Sequence, residues 1–156
     1  MPKKVTLYVR DGDGQLWERA KALAGGDDSL SGLVTEALRR YVDEQERKQA
    51  ARQEVKDRMR EYVLETTIIS GGVVTGSKRK VRFVGALLAE GQEATTIHDV
   101  FLTSGGKLVH FIEASDGNFY DVYETLDDLA ARAAVPEDVL AEAVEALGEE
   151  YVVNID

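Results

Sequence analysis

The sequence predicts an α+β chain in three parts. A strand followed by two helices opens it, a unit that closes only as a dimer through a swapped two-stranded ribbon. A long connecting helix follows, then a C-terminal antiparallel sheet with two helices. Three observations predict this. Residues 4–10 alternate strictly between apolar and polar side chains. No Gly or Pro interrupts the chain between Leu33 and Ser70. Beyond residue 80, short β-rich runs are separated by Gly-containing turns.

In the first strand Val5, Leu7 and Val9 point one way, and Lys4, Thr6, Tyr8 and Arg10 the other. Asp11-Gly12-Asp13-Gly14 is a turn signal. Leu16, Trp17, Ala20, Leu23 and Ala24 recur at helical spacing, and Gly25-Gly26 ends that helix. Ser29 is a suitable N-cap for the second helix, which carries Leu30, Leu33, Val34, Ala37, Leu38, Tyr41 and Val42 on one face. It is expected to run from about Leu30 to about Arg60, roughly 45 Å at 1.5 Å per residue. Val34, Leu38, Tyr41, Gln45, Lys48, Arg52, Val55, Met59 and Tyr62 follow heptad spacing with a polar middle. Coiled-coil seams want apolar residues there, so a solvated helical linker is favoured over a two-stranded coil.

Strands are expected at residues 62–69, 81–89, 97–103, 107–114 and 119–123. The close Gly turns favour an antiparallel meander. Helices follow at 126–134 and 136–147, with Pro136 suited to a first helical turn. A last strand at 151–155 is expected to return to the sheet. The domains are thus 1–45, a strand-helix-helix dimerisation module; 46–61, a helical linker; and 62–156, an acidic α+β domain.

Net charge is −10, which on its face argues against nucleic acid. Its distribution is more informative. Residues 1–60 hold 13 Lys and Arg against 11 Asp and Glu, a net of +2; residues 61–156 hold 6 against 18, a net of −12. The absence of cysteine excludes disulfides, thiolate metal sites and cysteine nucleophiles. No apolar run of about 18 residues suggests a membrane span, and no signal-peptide pattern follows Lys3 and Lys4. The expected location is the cytoplasm.

A strand and two helices of about 45 residues cannot bury their apolar faces alone. Two copies can pair their strands antiparallel, with Val5, Leu7, Val9, Leu33, Val34 and Leu38 forming a shared dimer core. Lys4, Thr6 and Tyr8 then face outward, and a two-stranded ribbon fits the major groove of B-DNA.

These residues, with the Gly25-Gly26 break and Ser29-Leu30-Ser31-Gly32-Leu33-Val34, resemble the ribbon-helix-helix DNA-binding superfamily of the MetJ/Arc type. The resemblance implies that Lys4, Thr6 and Tyr8 read bases. It implies a phosphate anchored by Ser29, Leu30 and Ser31. Lys3 and Arg10 are placed either to touch phosphates or to keep an edge strand soluble. Tyr8 departs from the shorter polar residue usual there; it can stack on a sugar or a thymine methyl, or restrict the groove. The whole chain also resembles the actinobacterial EXLDI family. The match lies in Lys78-Arg79-Lys80-Val81-Arg82-Phe83-Val84-Gly85, in Val122-Tyr123-Glu124-Thr125-Leu126-Asp127-Asp128-Leu129, and approximately in Glu150-Tyr151-Val152-Val153-Asn154-Ile155-Asp156.

Other motifs are set aside. Gly71-Gly72-Val73-Val74-Thr75-Gly76-Ser77-Lys78 fails the phosphate-loop order, because Ser77 stands where the lysine belongs. Lys78, Arg79, Lys80 and Arg82 read as a solvated hairpin tip rather than a second phosphate patch. His98 and His110 lack a ligand pattern; His110 reads as a packed histidine beside Leu108 and Ile112. No catalytic residue, metal or cofactor is expected. The expected function is a sequence-specific transcriptional regulator, a repressor. Its partners are double-stranded DNA and a second copy, with a tetramer on DNA as the further assembly. A protein or small-molecule effector is the expected partner of the C-terminal domain. The alternatives are an antitoxin that binds a toxin through its C-terminal part, and, further off, an enzyme built on the C-terminal sheet.

Overall fold

Every strand among the described residues lies after Met59, in one antiparallel meander. The computed structural model describes residues 6–25, 27–153 and 155. A 3-10 turn (Asp11–Asp13) leads into α1 (Gly14–Ala24) and α2 (Asp27–Asp57). The sheet consists of β1 (Arg60–Ser70), β2 (Val73–Glu93), β3 (Thr96–Thr103), β4 (Leu108–Ala114) and β5 (Gly117–Tyr123), in that order. Two helices, α3 (Leu126–Arg132) and α4 (Glu137–Ala146), follow. The chain divides into two compact units between Glu46 and Arg47, a point inside α2.

The predicted N-terminal ribbon is overturned. Lys4 and Val5 lie outside the described residues, and residues 6–10 form no strand. The N-terminal part is instead helical between Asp11 and Asp57, with a break after Ala24. Alternation gives a segment two faces, but a strand exists only through a ladder to a neighbour. Every ladder among the described residues joins members of the meander. The two N-terminal helices do follow their predicted positions. Gly25 closes α1 in the left-handed conformation, its N–H donating to the Lys21 carbonyl at 3.2 Å. The second helix begins at Asp27, which puts Ser29 in its first turn rather than ahead of it.

The C-terminal unit has two apolar clusters, one on each face of the sheet. Ala86, Leu88, Ala89, Val100, Leu108 and Tyr123 meet Val55 of α2, Leu129 of α3, and Val139, Leu140 and Ala143 of α4. On the other face Phe101, Val109 and Phe111 pack with Tyr62, Leu64, Phe83, Leu87 and Tyr120. Strand β4 is the clearest case. Leu108 and His110 point to the helices, Val109 and Phe111 to the aromatic cluster, and all four are buried. Each fully buried Leu or Val contributes about 1.5–3 kcal/mol. A bulge between Leu87 and Ala89 lets two consecutive residues, Leu88 and Ala89, face the helices. The sheet curls until its ends meet: the Asn118 N–H donates to Thr67 Oγ1 at 3.0 Å, and its side-chain amide to the Glu65 carbonyl at 3.3 Å.

Two further expectations are corrected. No strand forms at residues 151–153 or 155. The heptad-spaced residues from Lys48 to Met59 are neither a coiled-coil seam nor a solvated linker. Arg52 meets Glu149 at 3.9 Å, and Val55 and Met59 pack in the core. Arg52, from the polar middle of the seam, therefore faces a carboxylate of its own C-terminal unit.

Candidate functional site

The residues predicted to meet DNA are in the N-terminal unit. Lys3 and Lys4 lie outside the described residues. Thr6, Tyr8 and Arg10 are exposed on a segment without regular structure, with Tyr8 at 94%. Arg10 is extended, and its carbonyl accepts from the Asp13 N–H at 2.9 Å. Leu30 is half-buried and Ser31 exposed, both in the first turns of α2. The Ser31 carbonyl accepts from Thr35 Oγ1 at 2.8 Å.

The predicted dimer core is not closed within one chain. Val5 lies outside the described residues, Val34 is half-buried, and Leu7, Val9, Leu33 and Leu38 are exposed. No residue of α1 is buried. Leu7, Val9, Trp17 and Leu30 line an open groove of about 390 Å³, with Glu18 and Lys21 at its edge. Farther along, Tyr41 and Val42 are exposed, and Arg39 and Arg40 each pair with Glu36 at 3.0 Å.

Two of the four basic residues of β2, Lys78 and Arg82, are paired with carboxylates of β1. All four stand within the strand, and Gly71-Gly72 forms the tip instead. Lys78 pairs with Glu65 at 2.8 Å and Arg82 with Glu61 at 3.9 Å. The Lys78 hydrogen bond and charge, reinforced by Lys80, hold the Glu65 carboxyl below its ordinary range. Arg79 lies over the Tyr120 ring at 5.3 Å.

His98 and His110 form a buried stacked pair on the helix-covered face, Nδ1 to Nε2 at 3.0 Å. Burial, then the neighbouring imidazole, pushes His110 down to about 4. No group of three or more His, Cys, Asp or Glu among the described residues is placed to hold a metal. Behind this pair, on the aromatic face, Asp99 has a buried Oδ1 with no hydrogen-bond partner. Burial, with Glu90 and Glu113 nearby, raises its carboxyl to about 6.

The sequence reading missed one feature, a cleft of about 460 Å³ in the C-terminal unit. Its apolar floor is Met59, Leu102, Leu108, Leu126 and Leu147, and its polar rim includes Arg52, Lys56, Glu124, Asp127 and Glu149. Arg52 and Lys56, one helical turn apart, were visible as an i,i+4 pair. The opposite wall comes from residues 102–108, 124–127 and 147–149, and no local pattern joins these to α2. Among the described residues, no helix is long and apolar enough to cross a membrane. No family model, curated protein or solved structure matches the chain.

Proposed function

We propose that the protein is a homodimeric, sequence-specific DNA-binding transcriptional regulator, repressing where its operator overlaps a promoter. The N-terminal unit joins the two copies and meets the DNA. One observation carries the reading: this unit leaves its own apolar side chains uncovered. Leu7, Val9, Leu16, Leu23, Leu33, Leu38, Tyr41 and Val42 are all exposed, and α1 buries nothing. A unit of this size needs a partner surface, and a second copy is the partner always present.

The DNA half of the proposal rests on residue pattern, through the resemblance of the front of the chain to the ribbon-helix-helix superfamily, and not on charge: residues 1–60 carry only +2. The segment ahead of the first helical turn holds Lys3, Lys4 and Arg10 with exposed Thr6 and Tyr8. Lys3 and Arg10 supply phosphate contacts, and Lys4, Thr6 and Tyr8 supply base contacts. The folded C-terminal unit, with a core of its own, weighs against a tail that wraps a toxin.

The test is a footprint of the full-length protein on the DNA upstream of its own coding sequence. Paired half-sites related by two-fold symmetry are expected, with affinity falling steeply as salt rises. A triple variant, Lys4→Ala with Thr6→Ala and Tyr8→Ala, should lose the footprint while keeping its fold by circular dichroism. No protection, or protection unchanged in the triple variant, overturns the reading.

A further inference from the structure

The cleft in the C-terminal unit points to a ligand that the DNA reading does not involve. We infer that it binds a small zwitterion with an apolar body, of the apolar amino-acid class. The volume, about 460 Å³, is ordinary for a small-molecule site. Five apolar side chains floor it, and two of them, Leu108 and Leu147, belong to the buried core. The floor is therefore held in place by the packing beneath it and favours a hydrocarbon group.

The rim decides the charge of the ligand. Two of its carboxylates are already committed. Glu149 faces Arg52 at 3.9 Å, and Glu124 accepts from Lys107 Nζ at 2.8 Å. Subtracting those pairs leaves one cation, Lys56, and one carboxylate, Asp127, neither with a partner of its own among the described residues. They come from different elements, α2 and α3. A simple carboxylic acid would satisfy Lys56 but bring net negative charge to an acidic region that already carries −12 over residues 61–156. A simple amine would satisfy Asp127 and leave Lys56 beside a second cation. A molecule with both groups answers both residues and adds no net charge. Its carboxylate goes to Lys56, its ammonium to Asp127, and its side chain to the floor.

Titration calorimetry of the full-length protein with leucine tests this. The controls are 4-methylpentanoate, which lacks the ammonium, and 3-methylbutylamine, which lacks the carboxylate. Leucine or phenylalanine is expected to bind and the two controls at least tenfold more weakly. Lys56→Gln and Asp127→Asn should each weaken leucine binding about tenfold. Both residues are exposed, so these variants should keep the wild-type melting temperature without ligand. Failure of both amino acids to bind, binding of either control as tightly as leucine, or indifference to both substitutions overturns the inference. None of these outcomes touches the footprint, so the two proposals stand or fall separately.

Discussion

His110 and Asp99 pull the pH dependence of stability in opposite directions. His110 is buried in its neutral form and titrates at about 4, against an ordinary 6.5. As pH falls from 6.5 to about 4, the unfolded chain takes up a proton that the folded one refuses, and stability is lost. Asp99 titrates at about 6 against an ordinary 3.8. As pH rises from 3.8 to about 6, the folded chain holds a proton that the unfolded one releases, so stability is again lost, now in the rising direction. Between about 4 and 6 the two contributions oppose each other. Replacing Asp99 by Asn removes one of them. Asp99→Asn is expected to raise the melting temperature at pH 7.5, to lose that advantage by pH 4, and to steepen the acid-side fall. Melting curves from pH 4 to 7.5 decide it; a variant offset that does not change with pH rejects this account of Asp99. Gly148 poses a different residue-scale question, because two costs coincide there. Its φ is +75°, and an added Cβ would lie 2.9 Å from Lys48 Cα and 3.0 Å from Ala51 Cβ. Gly72, at φ +77°, has nothing within 4 Å of such a Cβ. Both Gly→Ala substitutions carry a backbone cost of about 1–3 kcal/mol, and Gly148→Ala adds the overpacking of α2, about 1–3 kcal/mol more. Urea unfolding should therefore rank Gly148→Ala clearly below Gly72→Ala. Equal losses would mean that α2 yields freely at this point.

At the scale of elements, the meander was legible because its signals are local. Gly-containing turns and alternating runs placed all five strands in their correct order. What escaped was whatever depends on a distant neighbour. The run at residues 4–10 has the alternation of a strand, but residues 6–10 join no ladder, and residues 151–153 and 155 do not join the sheet despite the strand-like sequence there. In β2 the bulge at Leu88 cannot be read from the apolar run around it, because that run satisfies either face. The last part of α2 shows the same limit in reverse. Lys48, Arg52 and Lys56 read as solvated, while Val55 among them is 1% exposed. The cleft was hidden for the same reason, since its walls are joined by the fold and not by sequence spacing. The role of α2 can be tested at Val55. An Asp there places an unpaired carboxylate between the helix and the sheet, a cost of about 3–5 kcal/mol. Val55→Asp should lower the urea midpoint strongly, whereas the neighbouring Glu54→Asp should leave it nearly unchanged. A neutral Val55→Asp would return residues 46–61 to the status of a solvated linker.

For the whole molecule, the decisive contrast is between a C-terminal unit with two clusters of buried side chains and an N-terminal unit whose helix α1 has none. Charge is also uneven across this division: residues 1–46 hold 7 Lys and Arg against 9 Asp and Glu, a net of −2, and residues 47–156 hold 12 against 20, a net of −8. An acidic, self-sufficient unit gains little from meeting another copy of itself, because like charges repel. The N-terminal unit, with the smaller net charge of −2, meets less of that repulsion and has apolar side chains to cover. Association is therefore expected to run through the front of the chain, and stability there should depend on protein concentration. Leu33→Glu combined with Leu38→Glu puts carboxylates on two exposed positions of α2. In one isolated chain these changes cost little, since neither side chain is buried. In a dimer they place charges in the shared apolar contact. Sedimentation equilibrium should find the wild-type chain at twice its 17.2 kDa mass, and the double variant at the monomer mass with the C-terminal unit still folded. The upstream DNA footprint should disappear with the dimer, because one half-site supplies too few contacts to hold alone. A monomeric wild type at tens of micromolar, or a double variant that still sediments as a dimer, would show that the exposed apolar face of α2 is not where two copies meet.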